Sequence, residues 1–291
     1  MMNTPSIVAA AAALITASSG LSTSPTEVDE QHWKHTDLRV AVYNIQAGLN
    51  MDGEFDLDST AEAIADLDAD VVALNEVDAH WGERSEWRDL GAELAETLDM
   101  NLSFGPIYTL DPEDPDDPPR EYGNALLSKH DIVYEKNHEI TRLASVEEDP
   151  EPELYPGFPE VVINVKGNFT HLYSTHLEVA DEEVREQQFD DMIEILERPK
   201  IGSQVLLGDF NKQPGSAEGE KFWKNMDDAW VEANGDKDGF TFPAEVPERR
   251  IDYVAVTPEI EVEAAETVDT LASDHLPIIV DLKIPRFHWL N

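Results

Sequence analysis

Six apolar runs in this chain end in residues able to bind a cation or move a proton. Asn44 follows Val40–Tyr43, Asn75 and Glu76 follow Val71–Leu74, and His176 follows Leu172–Thr175. Asp209 and Asn211 follow Val205–Gly208, Asp252 opens the run Asp252-Tyr253-Val254, and Asp274-His275 leads into Leu276–Leu282. One polar residue at a strand end is ordinary. Six such ends concentrating carboxylates, amides and imidazoles describe a shared rim. Carboxylate and amide oxygens suit a hard divalent cation, and an imidazole beside a carboxylate suits proton transfer near neutral pH. The chain has no cysteine, which excludes a thiol nucleophile, thiolate metal sites and disulfides. No serine-nucleophile motif occurs either. A hard metal working together with proton transfer is the chemistry such a rim would be built for.

The elements expected to carry these residues alternate in type. Leu38–Ile45, Val71–Val77, Tyr122–Ser128, Val161–Val165 and Phe169–Thr175 read as strands, as do Gln204–Leu207, Ile251–Val256, Ile260–Ala264 and Leu276–Leu282. Helical spacing marks Ser59–Leu67, with Asp58 or Ser59 as its cap, and Glu86–Leu98, with Leu90, Leu94 and Leu98 on one face. Asp181–Leu196 is a third helix, turning Val184, Phe189, Ile193 and Leu196 to a core. Helices interleaved with hairpin-like strand pairs predict an α/β fold with mixed sheets. The acidic, proline-rich stretches Asp111–Arg120 and Glu147–Pro159 read as long loops. Neither a domain boundary nor a short repeat is visible, so one domain over 33–291 is expected.

Composition bounds the partners. The 291 residues include 62 Asp+Glu against 20 Lys+Arg, a formal net charge of -42. A surface so negative repels free polyanions at low salt, and no lysine-rich patch or aromatic ladder suggests a nucleic-acid groove. The acids are spread along the whole chain, as in proteins kept soluble in concentrated salt, and a halophilic source is expected. Residues 1–32 hold an apolar stretch from Ile7 to Ile15, then small residues, then a Ser/Thr/Pro segment. This order is that of a signal peptide, although Lys and Arg are missing from its start, and it predicts a secreted protein. No later run is long and apolar enough for a transmembrane helix. A monomer is expected.

The segments YNI, NEV, THLE, GDFN, RIDYV and SDHLP, in this order, resemble the endonuclease/exonuclease/phosphatase superfamily from about Leu38 to Leu282. That resemblance implies a four-layered α/β sandwich, two mixed sheets face to face with helices outside, and a site at one end. It implies hydrolysis of a phosphoester with Mg²⁺, for which Mn²⁺ or Ca²⁺ could substitute. Residue by residue, it makes Glu76 the main metal ligand, with Asn44 and Asp274 beside it. His275 becomes the general base or phosphate-polarising imidazole, and Asp252 its carboxylate partner. Asp209 would orient or deprotonate water, Asn211 would hydrogen-bond the scissile phosphate, and His176 would contact phosphate or protonate the leaving oxygen. Asn124, with Arg120 or Tyr122, would face the phosphate.

Plainer readings stand beside these. Asp252 could pair with Arg249 or Arg250, Asn75 reads as a strand-end hydrogen bonder, and the segment at Gly123 could be an incidental hairpin. Asn234–Glu245 has the spacing of a calcium loop, but Pro243 lies inside it and no flanking helices are evident. Such matches arise easily in acidic sequences. Within the superfamily, Gln46 replaces the acid usual in apurinic endonucleases, which also lack a His at position 176. The readings left are a phosphodiesterase or nuclease and, alternatively, a phosphatase or sphingomyelinase/phospholipase C-type hydrolase of small or lipid phosphate esters.

Overall fold

The computed structural model describes residues 35–286. The segment read as an export signal, and His288, lie outside the described residues.

Two six-stranded mixed sheets make up the fold. The first contains β1 (His35–Asn44), β2 (Val71–Ala79), β3 (Asn101–Leu110), β4 (Arg120–Ser128), β11 (Glu261–Thr267) and β12 (Ile278–Pro285), in the order β11-β12-β1-β2-β4-β3. The second contains β5 (Ile132–Arg142), β6 (Glu153–Val165), β7 (Asn168–His176), β8 (Ser203–Asp209), β9 (Asp227–Asp228) and β10 (Asp252–Val256), in the order β5-β6-β7-β8-β10-β9. Val40, Val42, Val71 and Val280 of one sheet meet Val161, Leu172, Val205 and Val254 of the other in a shared buried cluster. The opposite face of the first sheet packs on α1 (Leu57–Asp66) and α2 (Leu90–Leu98) through Ile64, Leu67, Leu90 and Leu94. That of the second packs on α3 (Glu182–Leu196) through Phe189, Met192 and Leu196. The layers are therefore helix, sheet, sheet, helix, the four-layered sandwich expected. Among the described residues no helix is long and apolar enough to cross a membrane.

Each sheet holds one parallel pair near its middle: β1 with β2, joined through α1, and β7 with β8, joined through α3. Central strands covered on both faces read as continuous apolar runs. Crossover helices also force both members of each pair to end at the same edge, where ligands gather in α/β sheets. Asn44 lies level with Asn75, His176 with Asp209, and Asp252 with Asp209. Gly208 permits the second pairing: a Cβ there would stand 2.0 Å from the Thr175 carbonyl oxygen.

Several expectations are corrected. The helix expected from Ser59 starts at Leu57, because the Asp56 carboxylate caps the Ser59 N–H. The helix expected from Glu86 starts at Leu90, capped by Asp89, since Glu86 and Trp87 hold positive φ values of 53° and 58°. Half of the expected loop Glu147–Pro159 is strand: β6 begins at Glu153. β3 and β5 and the short helix α4 (Ala229–Asn234) were not expected. β5 is an edge strand with residues 133–136 exposed, so charge and weak alternation hide it. In the calcium-like stretch, Asn234 closes α4 and its amide donates to the Ala265 carbonyl of β11 (2.8 Å).

Candidate active site

The edge where both parallel pairs end brings most of the expected residues together. Its focus is one oxygen. Asp209 Oδ2 receives the Asn44 amide N–H from the opposite sheet (3.2 Å), and the Nε2 atoms of His275 and His176 each stand 3.8 Å from it. Its partner oxygen, Oδ1, accepts the Asn211 backbone N–H (2.8 Å). Asn44 also donates to Glu76 Oε1 (3.0 Å) and accepts from the Gln46 N–H through its own Oδ1 (3.1 Å). Behind the rim, the Ser273 hydroxyl donates to the Asn44 carbonyl (2.7 Å) and accepts the His275 N–H (3.2 Å).

Glu76 reaches the rim through backbone distortion. The β2–β4 register slips between Leu74 and Val77, and Glu76 takes φ 58°. A bulge of this kind turns a side chain out of the strand's alternation, and a non-glycine residue held there marks a functional constraint. Asn211, two residues past the end of β8, has φ 49°, and its side-chain amide donates to the Leu177 carbonyl (2.9 Å).

His275 donates through Nδ1 to Asp252 Oδ2 (2.9 Å), which fixes its tautomer. Neither alternative partner takes Asp252: Arg250 is engaged with Asp228 (2.7 Å), and the Arg249 guanidinium lies over the Phe242 ring. Burial alone would depress the His275 pKa. The negative charges of Asp252, Asp209 and Asp274 outweigh that and carry it up to about 10. Asp209 moves the same way for another reason. Burial, then repulsion from Asp252, raises its carboxyl to about 6 against the pull of the two imidazoles. One rim thus holds a firmly protonated imidazole next to a carboxylate that titrates near neutrality, the separation by which environment assigns acid and base roles.

Two groupings could hold a cation. Asp209, Asp252 and His275 present ligand atoms within 4.8 Å of one another, all buried, but the His275 ring is already committed to Asp252. Glu76 and Asp274 offer the better fit. Both are half-buried, and among the described residues neither takes part in an ion pair. Burial pushes the Asp274 carboxyl up and the charge of Glu76 pushes it further, with His275 opposing. Half-buried carboxylate oxygens without an ion-pair partner are the kind of ligand Mg²⁺ takes.

Three expected phosphate contacts are placed otherwise. Asn124 is fully buried, donating to the Gly157 carbonyl (2.9 Å) and accepting from Asn75 (2.8 Å). Arg120 donates to the Asp111 carbonyl (2.8 Å) at the acidic loop. Tyr122 stacks on Tyr108, with the Trp81 ring tilted against it, under the Arg84 guanidinium. Burial, then the charge of Glu76, keeps its hydroxyl protonated.

Asn75 does more than finish its strand. It donates to Asn124 and to the Thr175 carbonyl (2.9 Å), and it accepts the Asp209 N–H (3.0 Å), tying the catalytic edges of both sheets together. Asn75→Ala is expected to cost about 3 kcal/mol of unfolding free energy, because several buried groups lose their partner at once. Urea denaturation measures this; an unchanged midpoint would refute the bridging role. Arg142 was missed altogether. It is buried under His176, whose carbonyl accepts from Nη1 (2.8 Å), and no motif surrounds it in the sequence.

Comparison with known proteins agrees with this geometry. The profile of the Endonuclease/Exonuclease/phosphatase family matches residues 41–275. No curated protein matches the chain. Among solved structures, an endonuclease/exonuclease/phosphatase from Beutenbergia cavernae is 27% identical with a TM-score of 0.67, the match covering 85% of this chain and 72% of that one. A mannosyl-6-phosphatase of Bacteroides thetaiotaomicron is 18% identical with a TM-score of 0.61, covering 84% and 99%. Staphylococcus aureus beta toxin is 17% identical with a TM-score of 0.58, covering 84% and 99%. The last two are similar in fold. The matched span runs from within β1 to His275 and contains every residue of the rim, so the chain belongs to the endonuclease/exonuclease/phosphatase family, whose enzymes are generally divalent-metal-dependent hydrolases of phosphoesters.

Proposed function

We propose that the protein hydrolyses phosphoesters with a divalent cation held by Glu76 and Asp274, using a water activated at Asp209 and the Asp252-His275 pair as hydrogen-bond donor to the phosphoryl oxygens. The observation that carries this reading is the convergence on Asp209 Oδ2 of Asn44, His275 and His176 from both sheets. When bound, Mg²⁺ supplies Lewis-acid polarisation of a phosphoryl oxygen. Asp209, with its raised pKa, takes the proton of the attacking water. His275 keeps its Nε2–H, because Asp252 stabilises the imidazolium through Nδ1, and directs that donor at developing phosphoryl charge. His176 places a second imidazole on the same carboxylate, suited to the leaving oxygen. Asn44 orients Glu76 and Asp209 together, and Asn211 supports the phosphate from beside Asp209. Asn124 positions Asn75.

A phosphodiesterase or nuclease activity is the first substrate reading. A small phosphate ester is the second, favoured by the exposed acids of the loop before β4, Asp111, Glu113, Asp114, Asp116 and Asp117, which disfavour a polyanion. The test is turnover of plasmid DNA, RNA, bis-(p-nitrophenyl) phosphate, sphingomyelin and sugar monophosphates with Mg²⁺ or Mn²⁺ in high salt. Hydrolysis abolished by EDTA is expected for at least one class. No turnover of any of them would sink the reading.

A further inference from the structure

Among the described residues three arginines are buried, and two have carboxylates. Arg185 pairs with Glu218 (2.9 Å) and Arg250 with Asp228 (2.7 Å). The third, Arg142, is 6% exposed and takes part in no ion pair among the described residues. Its Nη1 donates to the His176 carbonyl (2.8 Å) and its Nη2 to the Gly157 carbonyl (3.1 Å), while its Nε–H has no partner. Glu178 helps only from beyond ion-pair distance. In a chain with 62 acids and 20 Lys+Arg, a buried guanidinium without a carboxylate is not a shortage of acids. A buried charge is costly unless something of opposite sign meets it.

Topology says where that partner comes from. β5 runs antiparallel to β6, and β6 to β7, so Arg142, paired with Glu153, ends β5 at the same edge as His176. The Gly157 carbonyl that Arg142 bonds also receives the Asn124 amide, which leads through Asn75 to the Asp209 N–H. Gly157 itself takes φ 113°, and a Cβ there would meet Ile107 Cγ1 at 2.3 Å, so the chain closes on Arg142 only with glycine at this point. Tyr108 and Tyr122 line the same side, and burial, then the charge of Glu76, holds the Tyr122 hydroxyl protonated.

We propose that Arg142 is an anion-binding residue beneath His176, with a phosphate group as its missing counter-charge and the free Nε–H as the donor left for it. The guanidinium is the side chain whose planar donors match phosphate oxygens. This rests on the phosphoesterase reading for its substrate, but not for its binding test. Burial lowers the guanidinium pKa to about 10, so it stays charged at neutral pH.

The experiment uses inorganic phosphate, EDTA and constant ionic strength with chloride as the matched anion. Phosphate is expected to raise the melting temperature of the wild-type protein. Arg142→Gln, which keeps an amide donor for the carbonyls but loses the charge, should bind phosphate about tenfold more weakly or worse, the scale of one charge-assisted hydrogen bond. Arg142→Lys should retain part of the affinity, which a purely structural brace would not produce. The inference is overturned if phosphate does not stabilise the wild type, or if the Gln variant gains as much as the wild type. Should Arg142→Gln not fold, wild-type crystals soaked in tungstate decide: an anion against Arg142 supports the site, and an anion elsewhere or none refutes it. Ester turnover without Arg142-dependent phosphate binding removes this inference alone. Phosphate binding without any turnover removes the hydrolase reading alone.

Discussion

Glu76→Gln is expected to lower metal-dependent turnover by about a thousandfold while leaving the fold intact. A Lewis-acid cation contributes several kcal/mol to a phosphoryl transition state, and each factor of ten corresponds to about 1.4 kcal/mol. Glutamine keeps the shape and an oxygen to accept the Asn44 N–H, which in the wild type bonds Glu76 Oε1 at 3.0 Å. It removes the negative charge that, with burial, raises the neighbouring Asp274 carboxyl. Two stability effects should accompany the lost activity. In EDTA the variant should melt no lower than the wild type, because the repulsion between Glu76 and Asp274 is relieved. On adding Mg²⁺, the wild type should gain melting temperature and the variant should not, since a ligand that binds only the folded state stabilises it in proportion to its occupancy. Kinetics and thermal melts with and without Mg²⁺ measure both. Wild-type turnover in Glu76→Gln would remove Glu76 from the metal site.

Asp252→Asn addresses the imidazole. A carboxylate that orients a catalytic histidine and stabilises its charged form is worth up to about four orders of magnitude in kcat in the serine-protease case, and a loss of about a hundredfold or more is expected here. The variant should also change how stability depends on pH. His275 has a folded-state pKa of about 10 against an ordinary value of 6.5. A raised histidine pKa means that the folded state binds the extra proton. Its contribution is therefore complete below about 6.5 and is lost as pH rises through about 10. In EDTA, the unfolding free energy of the wild type should fall across that window by up to about 1.4 kcal/mol per pH unit. Asp252→Asn removes the foremost charge holding the proton and should flatten the fall. Equal slopes in the two proteins would mean that Asp252 does not govern the His275 proton.

Much of this site was legible because the strands that carry it are central. β1, β2, β7, β8 and β10 are covered on both faces, so each is an apolar run, and the first polar residues after it mark the sheet edge. Asn44, Glu76, His176 and Asp209 were found that way, and Asp252 as the polar residue that opens the run of β10. What local pattern does not carry is the pairing. The Asn44–Asp209 bond joins residues 165 apart in sequence, and His275–Asp252 joins residues 23 apart, one in the segment before β12 and the other at the start of β10 in the second sheet. Edge strands were hidden for the opposite reason: β5 exposes charged side chains to water, and its residues lack the apolar continuity that betrays a central strand.

Sequence alone therefore determined the fold class, the family resemblance and the chemical types at the rim, because hydrophobic periodicity and strand-end residues are local properties. Tertiary structure decided the rest. It turned Glu76 outward through a bulge at φ 58° and made Asn75 a bridge between sheets. It withdrew Asn124 into the core with both ends of its amide engaged. It also left Arg142 as a buried cation without a carboxylate. Each of these depends on which distant backbone carbonyl, amide or charge arrives beside a residue, and only the packed sheets specify that.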